Sequence, residues 1–151
     1  MVGYLLEGSQ HSIYYIREGT DTFRDWAGDI GATGPTAAEV LDDPSLEDRS
    51  PSPPEWEKVL AALEKIADEG YEKLAKINMV NTWPGDDGKE VAEVKKGGVR
   101  IPFFEDETSL DKEVTRLILT HGFQRENEEG QFDHFRALRM EYYEWELRTE
   151  Q

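Results

Sequence analysis

The chain of 151 residues contains no cysteine. That removes disulfides, thiolate catalysis and cysteine-type zinc sites together, and it fits the cytoplasm. Long apolar runs are also absent, so no membrane-spanning helix is expected. The opening MVGYLLEGSQ has no basic region ahead of an apolar stretch, so it does not read as a secretory signal. Positive charge is scarce: 17 Lys and Arg stand against 33 Asp and Glu, for a net charge of -16. A uniformly acidic surface repels nucleic acid and anionic membranes. The acidity is uneven, however. Residues 89–125 hold seven acids and seven bases, while the flanking segments are strongly acidic. A solvated acidic surface, or adaptation to a high-salt cytoplasm, accounts for the remainder.

The clearest periodic element runs through PPEWEKVLAALEKIADEGYEKLAKI. Trp56, Val59, Leu60, Leu63, Ile66, Ala67, Tyr71 and Leu74 recur at helical spacing, with charges opposite, and Gly70 divides the run. Ser52 can cap it, with Pro53 and Pro54 in the first turn. Upstream, HSIYYI reads as a strand that starts as early as Tyr4. Thr20 or Asp21 would cap a short helix burying Phe23 and Trp26. Residues 31–54, rich in Pro, Ser and Asp, read as a surface insertion with at most one helical turn, at Ala37–Leu41.

NTWPGDDGKE reads as a turn, and it lacks the ligand spacing of a calcium loop. Three strands follow, EVAEVKKG, GVRIPFFEDE and EVTRLILTHGF, with Gly97-Gly98 as a two-residue hairpin turn between the first two. Pro102 argues for an edge position or a bulge. QFDHFRALRMEYYEWELR closes the chain as a helix with a broad aromatic face. Its Tyr142, Tyr143 and Trp145 suit core packing or base stacking. The expected fold is α+β: a small antiparallel sheet, made of the N-terminal strand and the C-terminal three-strand meander, packed with helices in one domain over residues 1–151.

Strand alternation places Glu93 and Lys95 on one face, with Arg100 across the tight turn. His121 and Arg125 leave the end of the third strand. An acid, a lysine, two arginines and an imidazole then converge on one concavity. That set suits RNA cleavage by the 2′-hydroxyl: Glu93 as base, His121 as acid, and Arg100, Arg125 and Lys95 around the developing phosphate charge, with no metal required. The same residues also fit ordinary surface ion pairs and a turn histidine. His11 and His134 lack partners at metal spacing.

The segments VAEVKKGGVRIPFFEDE, RLILTHGFQRE and FDHFRALRMEYYE resemble, in order and spacing, the C-terminal half of the RelE/HigB toxin superfamily, notably its phage-derived branch. Glu93 and Lys95 fall on one pattern of that family, Arg100 on a second, and His121, Gly122, Phe123 and Arg125 on a third. Ala137 falls on the helix. The resemblance implies a RelE-like fold and a toxin of a toxin–antitoxin pair. Such a toxin is an mRNA endoribonuclease acting on the ribosome without a small-molecule cofactor, and its partner is an antitoxin protein. Gln124 and the acids Glu126, Glu128 and Glu129 depart from the basic pattern there. A non-catalytic, protein-binding member of the same fold, of phage or halophile origin, is the alternative.

Overall fold

The structure, a computed structural model, describes residues 1–19, 21–29, 54–85 and 90–149. The proposed insertion at 31–54 therefore lies outside the described residues, apart from Pro54, and so do Ser52, Pro53 and the Ala37–Leu41 turn. Strands β1 (Val2–Glu7) and β2 (His11–Ile16) form a hairpin. Helix α1 (Phe23–Asp29) follows, then α2 (Pro54–Glu69) and the short α3 (Tyr71–Ala75). Strands β3 (Val80–Pro84), β4 (Glu90–Lys96), β5 (Val99–Glu105), β6 (Thr115–Leu119) and β7 (Phe123–Gln124) lead to the long helix α4 (Gln131–Thr149).

The architecture is α+β, with a larger sheet than the sequence suggests. Its order is β1-β2-β6-β5-β4-β3, with β7 also paired to β5. The sheet is mostly antiparallel, but β2 and β6 run parallel, from His11 beside Thr115 to Tyr15 beside Leu119. The expected single N-terminal strand is thus a hairpin. The NTWP segment, read as a turn, is the edge strand β3, paired with β4 from Val80–Val94 to Pro84–Glu90.

Residue parity sorts the core into two layers. Ile13, Tyr15, Val94, Ile101, Phe103, Leu117 and Leu119 face α1, α2 and α3, where Phe23, Val59, Leu63, Ile66 and Leu74 meet them. Ile16, Val91, Phe104 and Ile118 face Phe135, Leu138 and Tyr142 of α4. Of the helical stripe read from the sequence, Val59, Leu63, Ile66, Ala67, Tyr71 and Leu74 are core and Leu60 packs against them half-buried, while the Trp56 side chain lies outside what is described; the break at Gly70 separates α2 from α3. The start of α1 differs from expectation. Thr20 lies outside the described residues, and Asp21 makes no cap among those described. Instead the Thr22 N–H donates to Asp25 Oδ2 at 3.2 Å, so a carboxylate inside the first turn reaches back to the residue before the helix.

Pro102 is neither on an edge strand nor in a bulge of β5 itself. It pairs with Glu93 on one side. On the other side the neighbouring chain changes from β6, which pairs at Phe103–Glu105, to β7, which pairs at Val99 and Arg100. The Pro102 carbonyl points into that break and accepts the Thr120 N–H at 3.0 Å. Because the N and C=O of one strand residue point to the same side, the missing N–H falls where the ladder is already interrupted.

Candidate functional site

The β4–β5 turn positions the candidate site. Gly97 adopts φ 60, which a left-handed two-residue turn requires. Lys95 and Arg100 pair directly across the ladder, and Glu93 opposes Pro102. Glu93, Lys95, Arg100 and Pro102 therefore share the face that carries α4. Glu93 and Arg100 are each only 8 % exposed, and the Arg100 Nε lies 4.0 Å from Glu93 Oε1. Asn81 of β3 donates to the same carboxylate oxygen at 3.0 Å. Burial raises the Glu93 pKa above the usual carboxylate value, and the Asn81 hydrogen bond and the Arg100 charge only partly oppose it.

Arg100 also turns back on its own hairpin. Its Nη1 donates to the carbonyls of Gly97 at 2.8 Å and Val99 at 2.9 Å. Lys95 is half-buried beside it. Arg125 is exposed in a single 3-10 turn, Arg125–Asn127, and its N–H donates to the Gly98 carbonyl at 2.7 Å. The third strand's exit is thereby fastened to the tip of the hairpin, which brings the Arg125 backbone beside the turn that holds Arg100.

His121 stands further along the same side. Its ring stacks on Phe123 with centroids 5.6 Å apart, and Phe123 is the cross-strand partner of Arg100. Between these two residues, Gly122 faces the opposite layer. A Cβ there would lie 2.3 Å from the Trp26 ring, so only glycine lets the strand exit pass this close to α1. The imidazole is 3 % exposed. Its Nδ1 is 2.9 Å from Thr120 Oγ1, and its Nε2 is 2.9 Å from Gln131 Oε1. We assign the proton to Nε2: it donates to the Gln131 oxygen, and Nδ1 accepts the Thr120 hydroxyl. Burial, with the neighbouring His134 ring 4.6 Å away, lowers the pKa to about 4. The free protein therefore holds a neutral imidazole at neutral pH. This departs from the expected general acid, because the buried ring carries no spare proton in that state.

Two cavities meet at Gln131. One, of about 20 Å³, lies against Glu93, Pro102, Phe123 and Phe132, and has room for roughly one water. The other, of about 340 Å³, opens beside His121 and His134 and is lined by Trp26, Asp25 and Glu129. Four of the five expected residues thus lie on one side of the sheet, as two groups: Glu93, Lys95 and Arg100 at the hairpin, and His121 behind Phe123 and Gln131; Arg125 joins the hairpin through its backbone N–H alone. Sequence reasoning missed Asn81 and Gln131. Asn81 was hidden by the turn-like NTWPG, although its alternation with Val80 and Thr82 is a strand signal. Gln131 looked like a helix-start residue only.

Among the described residues, no group of three His, Asp or Glu is arranged to hold a metal ion, and no helix is long and apolar enough to cross a membrane. No protein-family profile, curated protein or solved structure matches this chain.

Proposed function

We propose that the protein is a RelE/HigB-like toxin, an endoribonuclease that cuts mRNA on the ribosome and is held in check by an antitoxin protein. The observation that carries this reading is the shared face of Glu93, Lys95 and Arg100 at the β4–β5 turn, with a carboxyl whose pKa is raised by burial. A raised carboxyl pKa suits a general base working near neutrality.

In this reading Glu93 takes the 2′-hydroxyl proton, and the 2′ oxygen attacks phosphorus. Arg100, Lys95 and Arg125 offset the charge that develops on the phosphate. The departing 5′ oxygen takes a proton from His121. A phosphate bound nearby raises the pKa of that imidazole from its low value in the free protein, and so supplies the acid. The products are a 2′,3′-cyclic phosphate and a free 5′-hydroxyl. The net acidity of the chain disfavours free RNA, so the ribosome has to present the message.

A second reading, a non-catalytic module that binds another protein, draws on a different observation. The Arg100 Nη1 is held by its own turn carbonyls, and Glu93 faces a cavity of about 20 Å³. Inducible expression with growth and translation-coupled mRNA cleavage separates the two. On the toxin reading wild type arrests growth and cuts translated message, and Arg100→Ala loses about 10²–10³ in rate, as for the loss of one transition-state donor. If wild type neither cuts message nor slows growth, the binding module takes its place.

A further inference from the structure

At the opposite end of β5 from the candidate site, a groove of about 390 Å³ lies between the C-terminal half of α4, β2 and the loop after β5. Its volume falls in the range of small-molecule sites. Tyr14, Ile118, Tyr142 and Trp145 line it, and Val2 extends the apolar surface. The Tyr142 hydroxyl is already committed to Asp106 at 2.6 Å, so that residue offers the groove its ring alone. Tyr14 and Trp145 are half-buried and keep part of their rings accessible. The remaining lining is polar and of both signs. Lys112 is exposed and makes no ion pair among the described residues. The Arg116 side chain is one-third exposed (32 %) although its Nη2 touches Asp106 at 2.9 Å and donates to the Thr108 hydroxyl at 3.0 Å, and its Nε is buried with no acceptor among the described residues. Glu146, whose side chain is 12 % exposed, contributes a carboxylate that already accepts from Thr108 at 2.9 Å and lies 3.5 Å from the Arg116 Nη2.

We propose that this groove binds a free aromatic α-amino acid, with the ring between Tyr14 and Trp145, the carboxylate toward Lys112 and Arg116, and the ammonium toward Glu146. The charge balance selects this class. Lys112 and Arg116 are offset by Glu146 and by Asp106 behind it, so the local sum is zero. A zwitterion of zero net charge leaves that balance intact, whereas an aromatic anion or cation upsets it. The site stands apart from Glu93 and Arg100 and is independent of the endoribonuclease reading.

The test is calorimetric titration of the full chain with L-phenylalanine, 3-phenylpropionate and phenethylamine. The expected result is saturable binding of L-phenylalanine, with each truncated probe weaker by about tenfold or more. Lys112→Ala, at an exposed position, should weaken L-phenylalanine about tenfold and leave phenethylamine unchanged. Trp145→Phe should retain the fold, by circular dichroism, and weaken all three probes. Absence of saturable binding of L-phenylalanine at millimolar concentration overturns the proposal. So does equal binding of the three probes, or an L-phenylalanine affinity indifferent to Lys112→Ala.

Discussion

Strand β5 begins and ends beside a carboxylate–guanidinium pair, and the two pairs are built in opposite ways. At its start, Glu93 meets Arg100 at 4.0 Å with Asn81 as its hydrogen-bond donor, and burial prevails: the carboxyl is pushed toward its neutral form. Just past its end, Asp106 has no exposed surface, yet its pKa is lowered. Burial is the largest single influence there too, but the Tyr142 hydroxyl, the Thr108 N–H and hydroxyl, and Arg116 together outweigh it. One end of the strand stabilises an ionised carboxylate with a full set of donors. The other holds its ionisable groups, Glu93 and the neutral His121, away from their charged forms. A saturated buried pair is what a fold needs from a charge. An unsaturated one leaves an ionisable group ready to change state, which is the property a reactive site needs.

The largest effect should come from breaking the saturated end. Asp106→Ala leaves Arg116 without its closest partner and the Tyr142 hydroxyl without an acceptor, so it should lower unfolding free energy by about 3–5 kcal/mol. Urea titration of wild type and variant measures it. The pH dependence has a defined sign. Asp106 has a folded pKa below its unfolded value of about 3.9, so its stabilisation is present above that pH and is lost as pH falls through the folded pKa. The gap between wild type and Asp106→Ala should therefore narrow in acid. A loss under about 1 kcal/mol at pH 7 would erase the contrast between the two ends.

The imidazole gives the next largest effect, on the site side. The His121 pKa falls to about 4 from an ordinary 6.5. A depressed imidazole pKa means the unfolded chain binds the proton first, so wild type should lose up to about 3 kcal/mol between pH 6.5 and 4. His121→Gln should flatten that part of the stability profile. An unchanged slope would show that the ring is not held neutral, and would return it to the role of an acid in the free protein. Tyr142→Phe is smaller. It removes one hydrogen bond to a charged acceptor while the other donors to Asp106 remain, for a loss of about 1.5–3 kcal/mol. A loss near zero would mean that Asp106 does not depend on its full donor set.

Much of this contrast was legible in the sequence, though unevenly. Helix α2 and the break at Gly70 follow from spacing, because an apolar stripe of that length has few other uses. The β4–β5 hairpin follows from Gly97-Gly98, and it fixes Glu93, Lys95 and Arg100 on one face. Strands β1 and β3 were obscured because each is a short edge strand carrying a residue of poor strand propensity, Gly3 and Pro84. The parallel pairing of β2 with β6 joins residues more than a hundred positions apart, and no local pattern encodes it. In the sequence Asp106 falls at the end of the strand GVRIPFFEDE and carries no signal of burial. Its burial depends on Tyr142 and Arg116, which are distant in sequence, although Asp106-x-Thr108 is a capping pattern that local reading can detect. The pairing of His121 with Gln131 was hidden in the same way.

The smallest effect is the sharpest test, because its sign is opposite to that of Asp106. Glu93→Gln keeps an oxygen for the Asn81 amide and removes a charge that burial disfavours. Arg100 loses a partner at 4.0 Å but retains the Gly97 and Val99 carbonyls. The two changes nearly cancel, so at neutral pH the variant should match wild type within about 1 kcal/mol or exceed it. The pH profile carries the distinguishing information. With a folded pKa above the unfolded value, native Glu93 binds the proton more tightly than the unfolded chain does. Wild type is therefore favoured at pH below the unfolded value, and it loses ground to Glu93→Gln as pH rises toward and through the folded pKa. Urea midpoints at pH 4, 6 and 8 should show the variant gaining relative to wild type across the series. A gap moving the other way would mean that Arg100 stabilises the ionised carboxylate as fully as Arg116 stabilises Asp106, and the two ends of β5 would then be alike.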